Sequence, residues 1–167
     1  MTEMSIIELF EVGTTFESSI GEGTKSERAR IPKNYSRIDL PKNMIEEITN
    51  IDSEINFLVS GEIWCPDFQL NATVLKKFTE LNSNFNMSII TMGRGKKFLF
   101  PILGVENIKF PVIVVMDKDF NILGTFSERP KVVHKVSDFE EIKLDYYKGK
   151  YLLDSAYEFL EIMNSYK

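Results

Sequence analysis

Apolar residues along the chain recur in two rhythms, one at helical spacing and one in short runs of branched and aromatic residues, and the two alternate. Ser5-Ile6-Ile7-Glu8 has the capping-box pattern, in which the Ser hydroxyl accepts from a backbone N–H and the Glu reaches back, so a short helix begins at about Ser5. From Gly13 to Lys33 the periodicity is lost among Gly21, Gly23, Ser26, Arg28, Arg30 and Pro32, which predicts a polar, partly mobile surface segment. Pro41 suits a first helical turn, and Met44, Ile45, Ile48 and Ile51 then share a face to about Asn50.

Ile55 to Trp64 reads as a strand that stops at Cys65-Pro66. Leu70, Val74, Leu75, Phe78 and Leu81 follow at helical spacing, so a helix starts at the cysteine. Met87 to Thr91 is a strand, Lys96 to Leu103 a short helix broken by Pro101, and Pro111 to Met116 a buried strand. Asp117 to Asn121 is a polar turn leading into a hairpin partner at Ile122 to Phe126. Leu152, Ala156, Phe159, Leu160 and Met163 give a last amphipathic helix. This order implies an α/β fold, with a mixed sheet covered by helices on both faces.

Composition narrows the classes. With 43% hydrophobic and 27% charged residues, the 167-residue chain can build one packed core and is not a disordered or fibrous type. A net charge of −5 without a basic run argues against a general nucleic-acid grip. No apolar stretch is long enough for a membrane span, and Met1-Thr2-Glu3-Met4 does not start a secretory signal, so a cytoplasmic, non-membrane protein is expected. One cysteine, Cys65, and one histidine, His134, leave no intramolecular disulfide and too few ligands for a structural zinc site, so no metal is expected.

Cys65 is the chemically interesting residue because of where it stands. At a helix N-terminus, unpaired N–H groups and the helix dipole favour thiolate over thiol, whereas a buried cysteine at a strand end is inert. Asp67, in the first helical turn, stabilises the helix but opposes a neighbouring thiolate, so it is a candidate modulator. Gly93-Arg94-Gly95-Lys96-Lys97 reads as a solvated connecting loop with a weak anion-cradle pattern. Asp117-Lys118-Asp119 starts like a calcium loop but has Ile122 where the sharp turn needs glycine. His134 lies in a lysine-flanked stretch far along the chain from Cys65, and nothing in the sequence pairs the two.

Trp64-Cys65-Pro66-Asp67-Phe68 after a strand, Phe110-Pro111 before another, then a hairpin and a C-terminal helix, resemble the thioredoxin superfamily. The sequence looks most like its small bacterial thioredoxin-like members with a single active-site cysteine, which carry an Arg-Pro pair after the hairpin, as in Arg129-Pro130. The resemblance implies a thioredoxin-like fold over residues 35–167, with residues 1–34 as an N-terminal helix and polar extension. It implies that Cys65 is the attacking cysteine and that Pro111 is a cis-proline facing it, with Phe110 pairing its backbone to a substrate. Trp64, Pro66 and Phe68 would complete an aromatic substrate-binding surface.

Phe68 stands at the resolving-cysteine position and offers no nucleophile, so an ordinary dithiol cycle is closed to this chain. By resemblance to single-cysteine glutaredoxins, an external thiol would resolve the mixed disulfide, or the cap would persist as a redox signal. The expected partner is a protein or a low-molecular-weight thiol or disulfide, with no cofactor. The alternative is a redox-inactive binding module using an apolar groove around Trp64, Phe68 and Phe110.

Overall fold

The structure is a computed structural model that describes residues 3–165. Four strands, β1 (Ile55–Ser60), β2 (Phe85–Ile90), β3 (Val112–Met116) and β4 (Ile122–Ser127), form one sheet in the order β2-β1-β3-β4. β1 runs parallel to β2 and antiparallel to β3, and β3 is antiparallel to β4. Every residue of β1 and β3 is buried, as expected for central strands covered on both faces.

The alternation of side chains divides the core. Phe57, Val59, Ile113, Val115 and Phe126 face one side, where α4 (Lys42–Thr49), α5 (Pro66–Leu81) and α10 (Leu152–Met163) pack. Leu58, Val112, Val114 and Met116 face the other, against Leu9 of α1 (Ile6–Val12) and against Leu99 and Phe100. The hairpin turn is built by Asp117, whose Oδ1 accepts from the N–H groups of Asp119 and Asn121, both at 2.9 Å. That carboxylate serves the turn, as the hairpin reading requires.

Three sequence expectations are corrected. The segment expected to be a polar surface stretch forms two helices, α2 (Phe16–Gly21) and α3 (Lys25–Ser36). Its core anchors are isolated apolar residues, Phe16 and Ile31, with Ile20 packed against the core at its edge, so no continuous stripe marks the helices. Thr24 and Glu27 close a full capping box on α3, and Pro32 sits within that helix. Thr14 also pairs with Ile89 at the β2 edge, with N–H to carbonyl distances of 2.8 and 2.9 Å.

Secondly, β1 ends at Ser60, four residues short of the expected Trp64. A Cβ at Gly61 would lie 2.7 Å from the Phe68 ring and 3.2 Å from Pro111, so the chain passes between them only as glycine. Thirdly, the run after β2 is not a loop and is not broken by Pro101. It continues through α6 (Met92–Arg94), a π-helical turn (Gly95–Leu99) and α7 (Phe100–Leu103), with Pro101 in the first turn of α7, where it needs no N–H partner.

The remaining connections are α8 (Lys131–His134), a 3-10 turn (Phe139–Glu141) and α9 (Lys143–Tyr147). These lie between β4 and α10 and bring Arg129 and Tyr146 to the start of α5.

Candidate functional site around Cys65

Cys65 is the N-cap of α5 in an extended conformation, with Pro66 in the first turn. The Phe110–Pro111 peptide bond is cis, and the Pro111 carbonyl accepts from the N–H of Glu128 at 2.9 Å. Cys65 and Phe110 open on one groove of about 460 Å³, together with Asp67, Met92, Lys96, Phe100, Asn107, Ile108, Lys109 and Glu128. Phe110 stacks on Phe100 at 5.5 Å between ring centroids, which fixes the apolar wall of this groove.

Cys65 is only 9% exposed, and this burial is the main influence on its titration. Burial pushes the Cys65 pKa up, and the Asp67 and Glu128 carboxylates push in the same direction. The N–H groups of Phe68 and Asp67 at the helix start pull it down, as expected from the sequence, but they are outweighed. Of the two environments the sequence left open, a thiolate at a helix start and a buried cysteine, burial weighs toward the protonated thiol. Its Sγ lies 4.0 Å from Asp67 Oδ2, at the outer limit of a sulfur hydrogen bond.

Asp67 is the centre of a buried polar network. Its Oδ1 accepts from Arg129 Nε at 3.0 Å and from the Tyr146 hydroxyl at 2.8 Å. The Arg129 guanidinium lies 3.6 Å from the centre of the Phe139 ring and also reaches Glu128, at 3.9 Å. Asn71, one turn along α5, donates to the Tyr146 hydroxyl and to the carbonyls of Asp67 and Glu128, and its Oδ1 accepts from Ser155 at 2.6 Å. Burial, reinforced by the Asp67 carboxylate, holds the Tyr146 phenol far above its usual range, so it stays a donor.

The residues expected at the site separate into different places. Cys65, Asp67 and Phe110 share the groove. Phe68 is fully buried in the core and lines no surface, because its ring fills the space left beside Gly61. Pro111 is buried next to it. Trp64 is 54% exposed and, with Pro66, lines a different cavity bounded by Ser26, Glu27, Arg30 and Asn34 of α3 and by Tyr147. The indole N–H points to Glu62 Oε1 at 3.4 Å, and Glu62 Oε2 accepts from the N–H of Met92. An apolar groove around Trp64, Phe68 and Phe110 is thus not formed.

His134 contacts the Ser127 carbonyl at 2.8 Å and does not line the Cys65 groove, so the two are not a catalytic pair. Among the described residues, no cluster of three or more His, Cys, Asp or Glu could hold a metal ion. None of the described helices is long and apolar enough to cross a membrane. Sequence reasoning did not reach Asn71, Tyr146 and Ser155. The available signal was Gln69, Asn71 and Thr73 interrupting the apolar face of α5, since polar side chains buried on a helix need partners.

The fold is shared with known structures. A protein of unknown function from Pseudomonas aeruginosa, solved at 1.5 Å, is 31% identical and superposes with a TM-score of 0.92 over 98% of this chain and 99% of its own. An HIV epitope scaffold is 32% identical, with a TM-score of 0.89 over 96% of this chain and 98% of its own. No curated protein matches the chain. A thioredoxin family model matches residues 13–143, beginning just after α1 and running through the sheet and the Cys65 groove. With the mixed sheet and the cysteine at the head of α5, this match makes the chain a member of the thioredoxin family.

Proposed function

We propose that the protein carries out single-thiol disulfide exchange through Cys65. The observation that carries this reading is the opening of the sole cysteine, at a helix N-terminus, onto a groove walled by Phe110 of the cis peptide. Cys65 loses its proton, attacks one sulfur of a disulfide and forms a new S–S bond, and the other half leaves as a thiolate that takes up a proton. A low-mass thiol then attacks the mixed disulfide, freeing Cys65 and forming a disulfide with the half that had been attached. One S–S bond is present before and after each step, so no further oxidant is needed.

The raised thiol pKa makes this a slow nucleophile at neutral pH, though a thiolate of high pKa is intrinsically strong once formed. The test is incubation of the native protein with a small disulfide, followed by intact mass and by turnover with a low-mass thiol. A Cys65-linked adduct that a thiol removes, absent in Cys65→Ser, supports the reading. A native protein that forms no adduct while its unfolded chain does would sink it.

The buried, acid-flanked thiol favours a second reading, a redox-silent module in which the same groove binds a partner segment. In that case Cys65→Ser leaves partner binding unchanged.

A further inference from the structure

We propose that the groove beside Cys65 selects low-mass disulfides whose arms carry carboxylates, with Lys96 and Lys109 as the residues that hold the negative charge. This inference rests on the single-thiol reading and names its substrate class.

The groove has an uneven distribution of charge. Its two acids are both turned to Arg129: Asp67 at 3.0 Å, with Tyr146 as a second donor, and Glu128 at 3.9 Å. One guanidinium offsets one of these two carboxylates and leaves the charge of the other to weigh against the lysines. Lys96, on the π-helical turn, and Lys109, immediately before Phe110, are exposed on the same groove, and neither has an ion-pair partner among the described residues. Two cations without ion-pair partners thus line the groove of Cys65, which with Arg129 leaves one net positive charge there in a chain whose net charge is −5.

The apolar part of the groove lining is made by Met92, Phe100, Ile108 and Phe110. A volume of about 460 Å³ lies within the range of roughly 300–1,000 Å³ typical of small-ligand clefts. Short methylene arms ending in carboxylates fit this arrangement, with the methylenes on the aromatic wall and the charge at the lysines. A cationic arm would instead be repelled by Lys96 and Lys109.

The experiment compares three small disulfides on the native full chain: dianionic 3,3′-dithiodipropionate, neutral bis(2-hydroxyethyl) disulfide and dicationic cystamine. Each exchange rate is divided by the rate on the urea-unfolded chain to remove intrinsic reactivity. We expect the dianion to be favoured over the neutral disulfide by about threefold or more at low salt and the dication to be disfavoured, with both effects fading as salt rises. Lys96→Gln combined with Lys109→Gln should return the ratios to those of the unfolded chain. Equal normalised rates for all three, or a preference unchanged in the double variant, overturn the proposal.

If none of the three reacts, the single-thiol reading fails, and alkylation tests the groove separately. A native preference for iodoacetate over iodoacetamide relative to the unfolded chain, removed by the lysine changes, retains the anion selectivity. Its absence removes that as well.

Discussion

Arg129 donates from Nε to Asp67 Oδ1 at 3.0 Å, joining the end of the β3–β4 hairpin to the first turn of α5 across 62 positions of sequence. Both side chains are mostly buried, at 17% and 10% exposure, so this ion pair cannot be treated as a surface contact. It fixes the carboxylate that stands beside the Cys65 sulfur, and so links the packing of the C-terminal segment to the reactivity of the thiol.

Disrupting this network lowers stability and changes Cys65 together. Asp67→Asn leaves Arg129 without its buried partner and should cost about 3 kcal/mol in urea unfolding. Tyr146→Phe removes one donor to a carboxylate and should cost about 2 kcal/mol. Because both act on Oδ1, the double variant should lose less than the sum of the two. Asp67→Asn also removes one cause of the raised thiol pKa, so the pH midpoint of Cys65 alkylation moves down. An unchanged midpoint would show that Asp67 does not act on the sulfur.

The pH dependence of Cys65 has a definite sign. Its folded pKa is raised, above all by burial, so between the unfolded and folded values the native state holds a proton that the unfolded chain has lost. This contribution to stability is complete below the ordinary thiol value of about 8.5 and is lost as pH rises through the folded pKa. Tyr146 and Tyr147, raised by burial and by Asp67, add the same trend at higher pH. Urea unfolding between about pH 8 and about pH 10 should show a steeper decline for the native protein than for Cys65→Ser. At neutral pH, native Cys65 should be alkylated more slowly than in the unfolded chain. Parallel pH slopes or faster native alkylation would contradict the assigned environment.

The first helices hold the core and leave the Cys65 groove open. Ile31 of α3 is in the main core, and its replacement by alanine should cost about 2–4 kcal/mol. Thr24→Ala removes the hydroxyl that caps α3 and should cost about 1 kcal/mol. No residue of α1, α2 or α3 lines the Cys65 groove, so Thr24→Ala should leave the alkylation rate unaltered. A rise in rate would mean that this segment shields the thiol after all.

Much of the fold was legible because its elements carry strong local signals. Capping at Ser5, the apolar runs at Ile55 and Pro111, the helical spacing from Pro66 to Leu81 and the Asp117 turn each depend on residues close in sequence. Such signals also placed Cys65 at the head of a helix, while the resemblance to the thioredoxin superfamily put Phe68 at the position of a resolving cysteine. The helices between residues 16 and 36 escaped notice because single anchors such as Phe16 and Ile31, without a repeating stripe, hold them to the core.

What the sequence determined by itself was the order of the elements and the presence of one cysteine at the head of a helix, since both follow from local backbone preference and apolar period. Only the tertiary structure decided what that cysteine is. A helix N-terminus alone would favour thiolate, but burial at this junction and the Glu128 carboxylate at the β4 end, added to that of neighbouring Asp67, reverse the balance. The same packing sends Phe68 inward, turns Trp64 away to α3, and brings Lys96 and Lys109 to the groove that Cys65 lines. Desolvation and charge proximity depend on distances between residues far apart in the chain, and local pattern carries no information about them.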